Sequence, residues 1–250
     1  MTQTNNKNVD VTCVVVGHRE SHVIAATIKS VLRASEYANQ CGASTEVLIV
    51  LDDPNDDTSS VVGTFESEGC FIENVFYKDL ANSRNHASRI ANGKYIAFID
   101  GDDLWSRSWV ISSLLMSQSY KNCVLHPQYN IYFGDMHPHV LNHVDMEDND
   151  FVRDAILREN YWTALSFSEK RIYQENPYIK NEIRNGFGYE DWTWNVETIS
   201  KGIKHHTVDG TCHFIRRNTG VDSLLNLTNS SRSLPTILPI YKKNTDIEPA

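Results

Sequence analysis

Ala91-Asn-Gly93-Lys-Tyr95-Ile-Ala-Phe-Ile-Asp100-Gly101-Asp102-Asp103-Leu-Trp105, residues 91–105, is the stretch on which the fold turns. Its apolar run, 95–99, shows no polar alternation, so it reads as a strand covered on both faces, as in a helix-flanked parallel sheet. Three carboxylates follow at once. An acidic turn, with Asp103 capping the next helix, is the ordinary explanation of such a cluster. Position argues for more, because open α/β sheets bind ligands beyond the carboxyl ends of their strands. Two bare carboxylates about 4 Å apart repel by about 4 kcal/mol at an effective dielectric near 20, and a divalent cation relieves that cost. All-oxygen ligation favours Mg²⁺ or Mn²⁺. Asp102 and Asp100 share a face if the chain stays extended, and Gly101 lets the backbone approach a ligand.

Working outward, strands are expected at 11–16, 46–51 and 71–77, each followed by a turn and a helix, the βαβ rhythm of a mainly parallel sheet. Val23, Thr27, Ile28, Val31 and Leu32 keep to one helix face, and 58–68 and 83–91 supply two further helices. The strand ends read Gly17-His18-Arg19-Glu20 and Asp52-Asp53-Pro54-Asn55. Beyond Trp105 the spacing predicts a helix near 107–117 and short strands at 123–125 and 131–133. The polar stretch 134–150, with His137, His139 and His143, is expected as a mobile surface loop or lid. An aromatic-rich unit spans 151–217, with a helix at 194–201, and 218–250 reads as a wrapping extension or linker.

Composition bounds the function. With 250 residues, 40% hydrophobic and 22% charged, the chain is ordinary globular material, large enough for its own core. A net charge of −9 repels a polyphosphate, so nucleic acid is not an expected partner. No apolar run approaches the roughly 20 residues of a membrane span. The polar start, 1–10, lacks a signal-peptide core, and the chain is expected in the cytoplasm. Five scattered cysteines, at 13, 41, 70, 123 and 212, are expected reduced and mostly buried, and the sequons at Asn226 and Asn229 have no role there. The histidines show no ordered pair of zinc-ligand motifs.

Several motifs in order resemble the family 2 glycosyltransferases. They are the strand–turn–helix of 11–32, Glu46 to Asp53 with Asp56 and Thr58, Asn82-Ser83-Arg84-Asn85, and the quoted stretch through Trp105. The likeness covers roughly 9–110 and resumes at Gly188-Tyr189-Glu190-Asp191-Trp192 and His213-Phe214-Ile215-Arg216-Arg217. It implies an α/β fold of GT-A type, the nucleotide-diphospho-sugar transferase fold, with a mainly parallel central sheet flanked by helices in one domain with a C-terminal extension. Residues 1–110 would form the nucleotide-sugar-binding half, 111–217 the acceptor-binding and catalytic half, and 218–250 the extension.

Position by position, the resemblance implies that Asp52 hydrogen-bonds the uracil or thymine of a UDP- or dTDP-sugar, with Gly17 and Glu20 lining the base pocket. Asp100 would lie near ribose and metal, Asp102 would be the principal ligand of Mg²⁺ or Mn²⁺, and His213 would lie beside the diphosphate as a further ligand. Arg84 and Arg216 would face the nucleotide and its phosphates. For Arg84 a surface helix position is the plainer alternative, and Asn82 and Ser83 read as helix caps. Which of Arg216 and Arg217 points inward stays open. Glu190 and Asp191 suit the dipole of a helix's first turn, whereas the resemblance makes Asp191 the general base, beside Glu190, in an inverting transfer. Trp192 is expected at the acceptor. The sequence departs from the family pattern at Leu51, where an acid is common, and at Pro54-Asn55, where Gly-Ser is usual.

The expected activity is therefore inverting transfer of a sugar to a hydroxyl of a glycan or lipid-linked glycan, in bacterial surface polysaccharide synthesis, with peripheral contact at the cytoplasmic face of the inner membrane. A sugar-1-phosphate nucleotidyltransferase shares the sheet and the acids, but needs a glycine-rich phosphate loop that Gly17-His18-Arg19-Glu20 does not supply. A non-catalytic nucleotide-sugar or glycan-binding module would leave Glu190-Asp191 idle.

Overall fold

The computed structural model describes residues 8–135, 137–217 and 228–236. The expectations for the first seven residues, for the sequon at Asn226 and for most of the tail lie outside them. In chain order the elements are β1 (Val11–Gly17), α1 (Ile24–Gln40), β2 (Thr45–Asp52), α2 (Asp56–Gly63), β3 (Phe71–Val75), α3 (Leu80–Ile90), β4 (Tyr95–Asp100), β5 (Leu104–Trp105), α4 (Trp109–Ser119), β6 (Cys123–Gly134), β7 (His139–Asn142), β8 (Phe167–Glu169), α5 (Lys170–Glu175), α6 (Glu190–Ser200) and β9 (Lys204–Arg217).

They form one sheet in the order β3-β2-β1-β4-β8-β6-β9-β5, with β7 added to β6. The first four strands of that order are parallel. Beyond β4 the sheet is mixed: β8 runs antiparallel to β4 and β6, and β9 lies parallel to β6. The expected parallel sheet thus holds for the front half, and β8 joins 151–217 to it.

Pleat alternation explains why the inner strands are apolar throughout. Val11, Cys13 and Val15 face a cluster with Ile24, Ile28, Val31 and Trp109, while Val14 and Val16 face Ala81, Ala87, Ile172 and Trp194. Each fully buried Val or Ile contributes about 1.5–3 kcal/mol. At the edge, β3 stops at Val75, two residues short of the expected end, because Lys78 takes a left-handed conformation (φ 52°) and Asp79 caps α3. Asp79, not Asn82 or Ser83, is that cap, its Oδ1 accepting from Asn82 N.

The two short strands expected at 123–125 and 131–133 are one strand, β6, passing through Pro127. A register shift against β9 between Pro127 and Tyr129 accommodates the missing donor. Nor is 134–150 all surface loop. β7 pairs with β6, and His143 is buried, its Nδ1 against Pro127 O and its Nε2 against Asn130. All five cysteines are free, with Cys13, Cys70 and Cys123 buried.

Candidate active site

The carboxyl ends of β1 and β4 meet at two glycines. A Cβ on Gly101 would stand 3.1 Å from Gly17 Cα and 3.3 Å from Glu20 Oε2, and one on Gly17 would meet Ile24 Cδ1 at 2.7 Å. This close approach brings Glu20 against the acidic run. Glu20 is tied back through His18 N (2.6 Å), and burial raises its carboxyl above the usual range. Asp102 is pushed up to about 7 by burial first, then by the charges of Asp100 and Glu20. Asp103 is buried and raised for the same reason. It does not cap α4: its Oδ1 accepts from Arg216 N (2.7 Å), which pins the end of β9 to the rim.

Arg216 Nε also donates to Asp102 O (3.2 Å), while the guanidinium of Arg217 lies over Tyr132. Arg216 thus meets the acidic run through its backbone N–H and its Nε, while the charge of Arg217 also lowers Asp103. The oxygen donors of Asp100 and Asp102 are crowded, half-buried and mutually repelling, a donor set that fits Mg²⁺ or Mn²⁺.

Arg84 departs from expectation. It is fully buried, its Nη1 donating to Glu190 Oε1 (2.7 Å) and its Nη2 to Asp100 Oδ1 (2.6 Å). Rather than facing a phosphate, it joins the rim of β4 to the first turn of α6. Glu190 departs with it: its second oxygen accepts from Asn181 Nδ2 (2.7 Å), so neither oxygen is free for substrate. Asp191 differs. It is half-buried, its carboxylate accepts a long bond from Asn160 (3.3 Å) and one from the backbone N–H of Trp192, and Asn195 steadies Asn160 in turn (2.9 Å). Burial, then the Glu190 charge, pushes the Asp191 carboxyl up to about 7, with Arg84 opposing. One carboxylate is locked and its neighbour is poised to exchange a proton.

Asp52 is turned inward as well. Its oxygens accept from Lys78 N (2.9 Å), Asp79 N (2.8 Å) and Ser83 Oγ (2.9 Å), so the carboxylate organises the turn before α3 rather than offering itself to a base. The polar lip outside it comes from Asp53, paired with Arg19 and Lys78. His213 is the clearest correction. It is fully buried between Trp105 and Trp109, both ring nitrogens lack a partner, and burial holds its pKa well below the ordinary value, so it is a core residue and not a metal ligand. Trp192 is half-buried against Tyr189, its indole N–H donating to Ile156 O (2.6 Å).

Among the described residues, the metal-capable group of three with ligand atoms within 4.8 Å is Asp145, Glu147 and His206. It lies ten residues before Arg216 on β9, roughly 30 Å along an extended strand. Its own bonds account for it: His206 Nδ1 and Thr207 N meet Asp145, and Lys204 pairs with Glu147. Sequence reasoning missed Asn160, Asn181 and Asn195, since asparagine in an irregular stretch, as at 160 and 181, ordinarily reads as turn chemistry, and asparagine inside a helix, as at 195, carries no signal of its own.

The family model described as Glycosyl transferase family 2 matches residues 12–189. Two Escherichia coli proteins are similar, both UDP-Glc:alpha-D-GlcNAc-diphosphoundecaprenol beta-1,3-glucosyltransferases. WfaP is 24% identical over 84% of this chain and 78% of its own length, and WfgD is 36% identical over 38% of this chain and 36% of its own. Among solved structures, S. aureus TarS 1-349 in complex with UDP superposes with a TM-score of 0.64 at 10% identity, over 84% of this chain and 61% of that one. The mannosyltransferase PcManGT from Pyrobaculum calidifontis, in complex with GDP-Man and Mn2+, gives 0.56 at 12%, over 83% and 57%. The chain thus spans about three fifths of the TarS chain. At these identities the likeness is one of fold, and that fold is the GT-A arrangement expected from the sequence.

Proposed function

The chain belongs to glycosyl transferase family 2, and we propose that it moves a glucosyl or closely related hexosyl group from a UDP-sugar to a hydroxyl of a lipid-linked, GlcNAc-type acceptor, with inversion. The observation that carries this reading is the contrast within α6: Glu190 is locked by Arg84 and Asn181, while Asp191 is half-buried, lightly held and raised to about 7. The E. coli relatives' use of UDP-Glc supports uridine over thymidine in the donor.

In this mechanism Asp191 takes the proton of the acceptor hydroxyl as that oxygen attacks the anomeric carbon, and the nucleoside diphosphate leaves from the opposite face. Glu190 does not touch substrate; its fixed negative charge keeps Asp191 basic near neutral pH. Asp102 and Asp100 would hold Mg²⁺ or Mn²⁺, which when bound supplies charge neutralisation for the diphosphate. Arg216 adds a cation on the same side. Gly17 and Glu20 line the nucleotide pocket, Asp52 shapes it through the turn it holds, and the exposed part of Trp192 offers a face to the acceptor sugar. The division into a donor half, 1–110, an acceptor half, 111–217, and an extension, 218–250, follows these roles.

Among the described residues no helix is long and apolar enough to cross a membrane. A lipid-linked acceptor would be met at the cytoplasmic face of the inner membrane. The test is release of UDP from a panel of UDP-sugars, with Mn²⁺ and a synthetic GlcNAc-diphospholipid. Acceptor-dependent UDP release, strongest with UDP-glucose, is expected. Pyrophosphate formation from UTP and a sugar 1-phosphate, without transfer, would point instead to a nucleotidyltransferase.

A further inference from the structure

The described part of the C-terminal segment returns to the point where the acid-bearing helix begins. Leu234 bridges to Phe187: its N–H donates to Gly186 O (2.8 Å), and its carbonyl accepts from Gly188 N (3.0 Å). Thr236 N donates to Thr193 Oγ1 (3.1 Å), one turn into α6. Tyr189 OH donates to Asn229 Oδ1 (2.5 Å). The contact is close: Thr228 and Ser233 are buried, and a Cβ on Gly188 would lie 2.7 Å from Thr228 Cγ2.

What the segment grips is strained. Tyr189 precedes the first residue of α6, is left-handed (φ 57°) and makes no side-chain cap bond. For a residue other than glycine that conformation is unfavourable and persists only where surrounding structure holds it. Asp191 follows two residues later, so a change at Tyr189 swings its carboxylate. Tyr189 also lies within the field of Asp191, which together with burial raises the phenol's pKa.

We infer that residues 228–236 act as a strap that sets the approach angle of α6 and thereby the aim of Asp191, with Tyr189 and Asn229 as positioning residues. The inference rests on the reading of Asp191 as the base. Loosening a strap that only added stability would lower the melting temperature and leave turnover by the folded fraction untouched, whereas loosening a positioning strap changes kcat well below the melting temperature.

The experiment uses the full chain with Tyr189→Phe, Asn229→Ala, the double variant, and Asn229→Asp, which keeps an acceptor oxygen. In the first two, amide exchange of peptides covering 186–193 and 228–236 is expected to quicken about five-fold. With UDP-glucose, kcat is expected to fall about ten-fold at unchanged donor KM. The double variant should be no worse than either single one, and Asn229→Asp should stay near wild type. Unchanged exchange in both single variants overturns the strap, whatever the activity assay gives. Faster exchange with unchanged kcat overturns the positioning role. If Asp191→Asn retains full transfer, the base reading fails, and the exchange measurement still decides the strap.

Discussion

The carboxylates at the rim of the sheet and the histidines between β6 and β9 are perturbed by one cause, loss of water, in opposite directions. At the rim, burial raises Asp102 and Asp191 towards neutrality, with Arg216 and Arg84 as charged neighbours. In the interior, burial lowers His143 to about 4 and His205 to about 3, and depresses His126 and His213 as well. The interior partners are neutral: His126 Nε2 meets His205 Nδ1, His205 Nε2 meets Thr198, and Trp162 stacks on both rings. A perturbed group therefore marks chemistry only where it also keeps a path to solvent. Asp191 is half-buried, whereas His126, His205 and His213 are sealed.

The largest way to break that contrast is Asp191→Asn. Transfer should fall by about 10²–10⁴-fold, with UDP-sugar affinity by calorimetry unchanged. The wild-type rate should rise with pH through about 7 as Asp191 loses its proton, a limb that vanishes in the variant. Next comes Arg84→Met, which leaves Glu190 and Asp100 without their shared cation. Urea unfolding should show a loss of about 3–5 kcal/mol. Arg19→Met, removing the half-exposed partner of Asp53, should cost under about 1 kcal/mol.

The interior is sharpened by pH. A histidine whose folded pKa is depressed contributes stability that is full above its unfolded value near 6.5 and is lost as pH falls towards the folded value. The raised carboxyls run the other way: their contribution is full below about 4 and is lost as pH rises through about 7. Replacing His143 by Gln should therefore flatten the acid limb of the stability curve by roughly 1.4 kcal/mol per pH unit between about 6.5 and 4, read by denaturant titration at each pH. His213→Phe should change stability by less than about 1.5 kcal/mol. It should leave the Mn²⁺ concentration for half-maximal activity unchanged, while Asp102→Asn raises it.

How much of this could be read from the chain depends on what each residue's neighbours are. β1, β2 and β4 were legible because strands covered on both faces have no polar side to alternate with. The run from Asp100 to Asp103 was legible because its members are consecutive. Arg84, Glu190 and Asp52 were visible as charged residues in motif positions, but their direction was not, since it depends on partners as far off as the 106 positions between Arg84 and Glu190. His213 sits next to Phe214 in sequence and on the other side of the pleat from Arg216, so adjacency to the arginines misled. The continuity of β6 was hidden by Pro127, which a bulge excuses.

One guanidinium carrying two anions from distant parts of the chain behaves as a yoke. It ties the end of β4 to the first turn of α6 through a single buried positive charge, and that same charge opposes the rise of the Asp191 carboxyl.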